Sequence, residues 1–196
     1  MQQVIQTFIQ LSAGAIAIGT VITVQGAIVG EKQLGTAAWV ISKPASRSAF
    51  ILAKLIAYAL GFWVCAMLIP TTIFFFGTLR LVPASLSIAP FLSAVALVAL
   101  CQLFYLVLTL ALGTFFDSRG PIAGIGIAMA MTGLLLKSII PIQFLVATPW
   151  ILFDLSGAIA IGAPLPPGWY LAILSTTGGI VIMVALALWR FGREEF

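Results

Sequence analysis

Five side-chain carboxylates occur in this chain, Glu31, Asp117, Asp154, Glu194 and Glu195, and there is no histidine. The lack of imidazole removes His-based triads, His metal sites and His proton relays together. Paired-carboxylate chemistry needs two acids near one another. Only Glu194 and Glu195 are neighbours, and they stand in the C-terminal tail. Cys65 and Cys101 both lie inside apolar runs, which suits two packed small hydrophobes rather than a disulfide. No Gly-x-x-x-x-Gly-Lys-Ser/Thr loop is present, so the chain has no such cradle for ATP phosphates. An enzyme is therefore the weakest functional class. No metal and no directly bound cofactor is expected.

The elements that must carry these few groups are overwhelmingly apolar. Of 196 residues, 62% are hydrophobic and 7% charged, against about 25% charged in an average soluble domain. The chain reads as one all-α, polytopic transmembrane domain over residues 1–196. A crossing needs about 20 apolar residues. Residues 11–29, 49–77, 91–116 and 169–189 satisfy this, and 121–136 forms a shorter fifth span that extends toward Ile140 if Lys137 snorkels. Residues 138–162 are apolar but interrupted by Pro141, Pro149 and Asp154. They predict a pair of short helices, re-entrant or on the outer face, bent at Pro149.

Orientation follows from the basic residues. Lys32, Lys43, Arg47, Lys54, Arg119, Arg190 and Arg193 fall on one side of a five-crossing layout, and Arg80 and Lys137 on the other. The positive-inside bias places the N-terminus outside and the C-terminus in the cytosol. The net charge of +4 thus serves orientation, and no nucleic-acid partner is expected. Residues 79–90 read as a short outer loop, and 162–168 as a stiff outer turn.

The polar segment after the first span is the informative one. Leu34, Ala37, Ala38 and Ile41 recur at i, i+3, i+4 and i+7. This spacing predicts a short interfacial helix over residues 31–42. Glu31 stands in its first turn, where the helix dipole favours a carboxylate. Pro44 ends it, and Ser46 is placed to N-cap the next span. Physical chemistry alone also fits an ordinary interfacial helix with positive-inside charges.

Glu31-x-x-x-Gly35-Thr36, then Lys43-Pro44-Ala45-Ser46-Arg47, then Phe50 and Lys54, resembles the signature of type-two ABC transporter permeases. The likeness covers about 25 residues, and the rest agrees in layout. It implies a membrane subunit, usually of an exporter, that works by alternating access. Two permease copies, identical or related, would pair with two cytosolic ATPase subunits that bind ATP and Mg. Glu31, Gly35, Thr36, Lys43, Pro44, Ser46 and Arg47 would form the coupling element docked on the ATPase. The localisation implied is a prokaryotic plasma (inner) membrane. Family members carry an amphipathic segment and a further span ahead of the pair that flanks this motif. The resemblance therefore implies either a missing N-terminal portion or a shortened permease.

Further groups carry lesser expectations. Asp117 and Arg119, in the tight link 117–120, offer a second cytosolic contact or a solvated turn. Gly120, Gly124 and Ala128 make a small-xxx-small face suited to close helix packing. Asp154 is read as a water-exposed acid on a short outer helix, with a substrate contact as the alternative, and Phe74, Phe75 and Phe76 as an interface belt, with a binding box as the alternative. The rival function is an ion-coupled secondary transporter, which ordinarily needs an ionisable group at mid-membrane. All the charges here can be placed in links, ends or the outer segment. The substrate is not legible, although uncharged aliphatic spans suit a lipid or a hydrophobic compound.

Overall fold

The computed structural model describes residues 2–34, 47–81, 87–136 and 139–193. Within them every regular element is helical. In chain order these are α1 (Gln2–Val24), α2 (Val29–Gln33), α3 (Arg47–Phe62), a π-helical turn (Trp63–Leu68), α4 (Ile69–Leu81), α5 (Ile88–Phe115), α6 (Arg119–Leu136), α7 (Ile142–Leu145), a 3-10 turn (Pro149–Ile151), α8 (Leu152–Ala160) and α9 (Tyr170–Gly192). Four continuous helical stretches are long and apolar enough to cross a membrane: Gln2–Gln33, Arg47–Leu81, Ile88–Phe115 and Tyr170–Gly192. α6 has 18 residues and is about 27 Å long, just short of a hydrocarbon core of about 30 Å.

α5 is the central helix because it is apolar all round. Over its most apolar stretch 61% of residues are buried, against 17% for Arg47–Leu81. Its buried side chains, from Phe91 through Tyr105 to Thr114, point in every direction around its axis. α1 buries a stripe against α5, α6 and α8, including Ile5, Ile9, Ala13, Ala17, Val21 and Val24 at intervals of three to four residues.

Contacts between helices define two ends of the bundle. At one, the Ile28 side chain abuts Gly113 of α5, and Phe50 of α3 stacks on Phe191 of α9 with ring centroids 5.4 Å apart. At the other, Phe8 of α1 stacks on Phe74 of α4 at 3.8 Å, and Phe75 meets Phe91 of α5 at 5.2 Å. α1, α5 and α9 run toward the first end, and the α3–α4 helix and α6 run away from it. The phenylalanine cluster is thus divided. Phe74 and Phe75 pack between helices, and Phe76 is exposed.

Prolines and glycines set the irregularities. Pro70 has no N–H and its ring crowds the preceding turn. The helix answers with the π turn immediately before it, where the Ile69 N–H bonds the Val64 carbonyl five residues back. Pro90 is the third residue of α5, where a missing N–H costs no helical hydrogen bond. The predicted outer loop 79–90 is accordingly shorter, since α4 continues to Leu81 and α5 begins at Ile88. α8 ends in a Schellman arrangement: the N–H groups of Gly162 and Ala163 bond the carbonyls of Ile159 and Ala158. Gly162 and Gly168 have φ of 69° and 78°, left-handed conformations that favour glycine. They bracket the predicted turn 162–168.

α8 resolves the form of the doubtful segment 138–162. It does not lie exposed. Leu152, Phe153, Leu155, Ser156, Gly157 and Ala160 are all buried, and α8 packs between α1 and α5. Gly157 permits this, because a Cβ there would stand 2.9 Å from Gln6 Cγ and 3.0 Å from Gln10 Cγ. Trp150 closes over the end of α6, donating its indole N–H to the Met129 carbonyl at 2.8 Å. Its ring lies where a Cβ on Gly133 would be.

The close contacts of α6 within the chain use Gly126, against Val21, and Gly133, against Trp150. Gly120, Gly124 and Ala128 are exposed. This corrects the expectation of close packing on that face as far as this chain is concerned.

Candidate functional site

The first end of the bundle gathers most of the charge. The chain leaves α1 at Val24, turns, and forms α2 over Val29–Gln33. α2 begins two residues before Glu31 and is described as far as Gln33, which covers only the start of the predicted segment 31–42. Its continuation beyond Leu34, with Gly35, Thr36, Ala37, Ala38, Ile41, Lys43, Pro44 and Ser46, lies outside the described residues, as do Lys137, Glu194 and Glu195.

Glu31 and Arg47, the two described residues of the coupling motif, are both tied to the bundle. Glu31 Oε1 pairs with Lys54 Nζ of α3 at 2.6 Å, with 35% and 17% of the respective side chains exposed. The Lys54 ammonium also lies 5.1 Å from the centre of the Phe50 ring, a cation–π contact. Glu31 is therefore not simply a solvated charge at a helix start. It joins α2 to α3. Arg47 donates from Nη1 to the Gly192 carbonyl at 3.0 Å. That contact covers an otherwise open carbonyl at the negative end of the α9 dipole.

The link between α5 and α6 comes to the same place. Lys32 Nζ stands 3.8 Å from Asp117 Oδ1 and donates to the Thr114 carbonyl at 3.3 Å. Gln33 Nε2 donates to the Asp117 carbonyl at 2.9 Å. The Asp117 side chain is 92% exposed, so the ion pair itself is worth at most about 1 kcal/mol. The backbone contacts fix the position. Arg119 lays its guanidinium across the α1–α2 turn and α2: a Cβ on Gly26 would meet its Nε at 3.0 Å, and one on Gly30 its Nη2 at 3.5 Å.

Glu31, Arg47, Asp117 and Arg119 thus share one end, and α2 touches both α3 and the α5–α6 link. A displacement of α2 would be felt by α1, α3 and α5 through covalent or charged contacts. Lys32 and Gln33 lie outside the motif, and Lys54, although part of it, carries no predicted pairing with Glu31. Opposite charge at the same membrane level was the available signal, but Glu31 and Lys54 are 23 positions apart on different helices, and no periodicity links them.

At the opposite end Asp154 is half-buried, not water-exposed. It accepts a hydrogen bond of 3.4 Å from Gln10 Nε2 of α1. Deep in the bundle, Thr20, Thr109, Thr114 and Ser156 bond carbonyls of their own helices. The Gln102 amide and the Tyr105 and Thr176 hydroxyls are buried without a hydrogen-bond partner among the described residues. Among the described residues no group of His, Cys, Asp and Glu is arranged to hold a metal ion.

An apolar groove of about 400 Å³ opens between the π turn with α4 and α5, lined by Trp63, Met67, Phe75, Phe91 and Val95 among others. Its chemistry suits an alkyl or aromatic group. Neither a protein-family model nor a curated protein matches this sequence.

Proposed function

We propose that this chain is the membrane-spanning permease subunit of an ATP-binding cassette transporter, exporting its substrate by alternating access. A separate cytosolic ATPase binds ATP and Mg, and a second permease copy or a related permease completes the assembly. The end bearing Glu31, Arg47 and Arg119 faces the cytosol of a prokaryotic plasma membrane. The five helical passes are α1, α3–α4, α5, α6 and α9, with α7–α8 re-entering from the outer side.

The observation that carries this reading is the order Glu31, Gly35-Thr36, Pro44-x-Ser46-Arg47 in a segment whose described flank is joined to three helices. The Lys54–Glu31 pair at 2.6 Å and the Lys32 and Gln33 bonds to the α5–α6 link make a short lever. A push on it by an ATPase would shift spans together, and the work done is limited by how differently the lever contacts the ATPase in its two states. Glu31, Gly35, Thr36, Lys43, Pro44, Ser46 and Arg47 form the docking element, with Asp117 and Arg119 as a second contact. The apolar groove beside the π turn supports a lipid-like or hydrophobic cargo.

The test is co-purification. An ATPase encoded beside this chain is expected to co-purify with it from detergent-solubilised membranes and to hydrolyse ATP faster in the complex. If no ATPase of that class associates, and transport runs instead on an ion gradient, the reading fails.

A further inference from the structure

Two cavities near the charged end adjoin, with Thr23 and Tyr58 in the walls of both, and they differ in chemistry. The first, of about 370 Å³, is lined by Gly26, Gly30, Glu31, Lys54, Tyr58 and Arg119 among others. The second, of about 420 Å³, is apolar and runs beside Ala57, Gly61 and Cys65. Ala57, Gly61 and Cys65 follow one another at intervals of four, so they share a face of α3 and its π turn. Their small side chains leave the trough.

The charges of the first cavity do not cancel. Lys54 offsets Glu31 at 2.6 Å. Arg119 remains, and among the described residues no carboxylate pairs with it. Its guanidinium is seated over the Gly26–Gly30 notch at the cavity wall. From Lys54 to Cys65 the helix rises about 16 Å, which is one leaflet's half of a hydrocarbon core of about 30 Å. A single cationic site at the membrane surface thus leads into an apolar trough one leaflet deep.

We propose that the adjoining cavities bind one anionic phospholipid of the leaflet at the charged end. Its phosphate lies against Arg119, and one acyl chain lies along Ala57, Gly61 and Cys65. Basic pockets between membrane helices recognise anionic headgroups by this chemistry, and the guanidinium suits a phosphate because it donates from two nitrogens at once. The site requires neither an ATPase nor transport; with lipid bound, Arg119 is engaged by the phosphate, and the second ATPase contact of the function proposed above falls to Asp117.

The test uses the full chain in detergent with dioleoyl phosphatidylglycerol or dioleoyl phosphatidylcholine, and counts retained lipid by native mass spectrometry. Both lipids carry the phosphodiester, so the expected preference for phosphatidylglycerol, about tenfold, comes from the choline ammonium of phosphatidylcholine, a cation of the same sign as Arg119 and Lys54 at the cavity wall that offsets the attraction of the phosphate. Arg119→Ala should remove that preference, and Arg119→Lys should keep most of it. Gly61→Leu fills the trough and should weaken phosphatidylglycerol binding with Arg119 intact. Excess inorganic phosphate should leave the lipid bound. Should Arg119→Ala fail to fold, alkylation of the exposed Cys65 in the unaltered chain decides. It should be slower with phosphatidylglycerol than with phosphatidylcholine. Equal binding of the two lipids, unchanged preference in Arg119→Ala, displacement by inorganic phosphate, or equal alkylation rates would each overturn the proposal.

Discussion

Breaking the pair between Glu31 and Lys54 should destabilise the chain asymmetrically. The N–O distance is 2.6 Å. At an effective dielectric constant of about 20 the gross attraction is about 6 kcal/mol. Desolvation of both groups takes back most of it, and a net of about 1–3 kcal/mol remains. The two halves of the pair are not equivalent. Lys54 is 17% exposed and Glu31 35%. Glu31→Gln deprives the more buried charge of its carboxylate and leaves it over the Phe50 ring, whereas Lys54→Met takes one partner from the charge that water reaches more readily. Glu31→Gln is therefore expected to cost about 2–3 kcal/mol and Lys54→Met about 1–2 kcal/mol. At roughly 2–4 °C per kcal/mol for a chain of this size, melting in detergent should fall further in Glu31→Gln. The double variant should be less destabilised than the sum of the singles by about 1 kcal/mol or more. Additivity within about 0.3 kcal/mol would show that the pair contributes nothing and would refute the reasoning.

Three further outcomes are expected. Gly133→Ala places a Cβ 2.5 Å from Trp150 ring atoms, and this overpacking should lower stability by about 1–3 kcal/mol in thermal melts; no change would mean that the Trp150 cover is loose. Gln102→Met removes a buried amide with no hydrogen-bond partner among the described residues and should leave stability unchanged or raise it, whereas a loss above about 1 kcal/mol would reveal a partner. Cysteines introduced at Arg193 and at Pro166 should be labelled from the cytosolic and external sides respectively, and Pro166 reached from the cytosol alone would overturn the five-pass layout.

Long apolar runs made most of the helices legible. α5 occupies Ile88–Phe115 against an expected 91–116, because an uninterrupted apolar stretch has no alternative in a bilayer. α1 begins at Gln2 instead of residue 11. Gln6 and Gln10 sit against Gly157 of α8, so the polar residues ahead of the apolar run are covered by a neighbouring helix. The burial of α8 was hidden by Pro149 and Asp154, which look like interruptions. In the fold Pro149 starts the helix and Asp154 finds Gln10.

Within this chain α6 packs through a different face from the one that its small-residue spacing marks, and the difference is one of rotation. Gly124 and Gly126 differ by two residues, about 200° around a helix. Spacing identifies a small-residue face but not whether the neighbouring helix lies on that side. The π turn had a visible cause in Pro70, yet its form depends on how the backbone relaxes around the ring. At the charged end, Glu31 and Arg47 stood out by motif. Their partners, Lys54 and the Gly192 carbonyl, depend on how α2, α3 and α9 come together, and local sequence does not carry that.

The central claim is that Glu31 transmits force to an ATPase in addition to joining α2 to α3. Exchanging the pair, as Glu31→Lys with Lys54→Glu, separates the two roles. Transport by the purified complex in proteoliposomes is the measurement, with melting temperature measured beside it. The exchanged chain should recover most of the stability lost in Glu31→Gln, because attraction across the same 2.6 Å contact is restored. Transport should stay at a small fraction of the unaltered level, because the ATPase would meet a cation where it requires a carboxylate. Recovery of both stability and transport would contradict the claim and make Glu31 a structural residue alone.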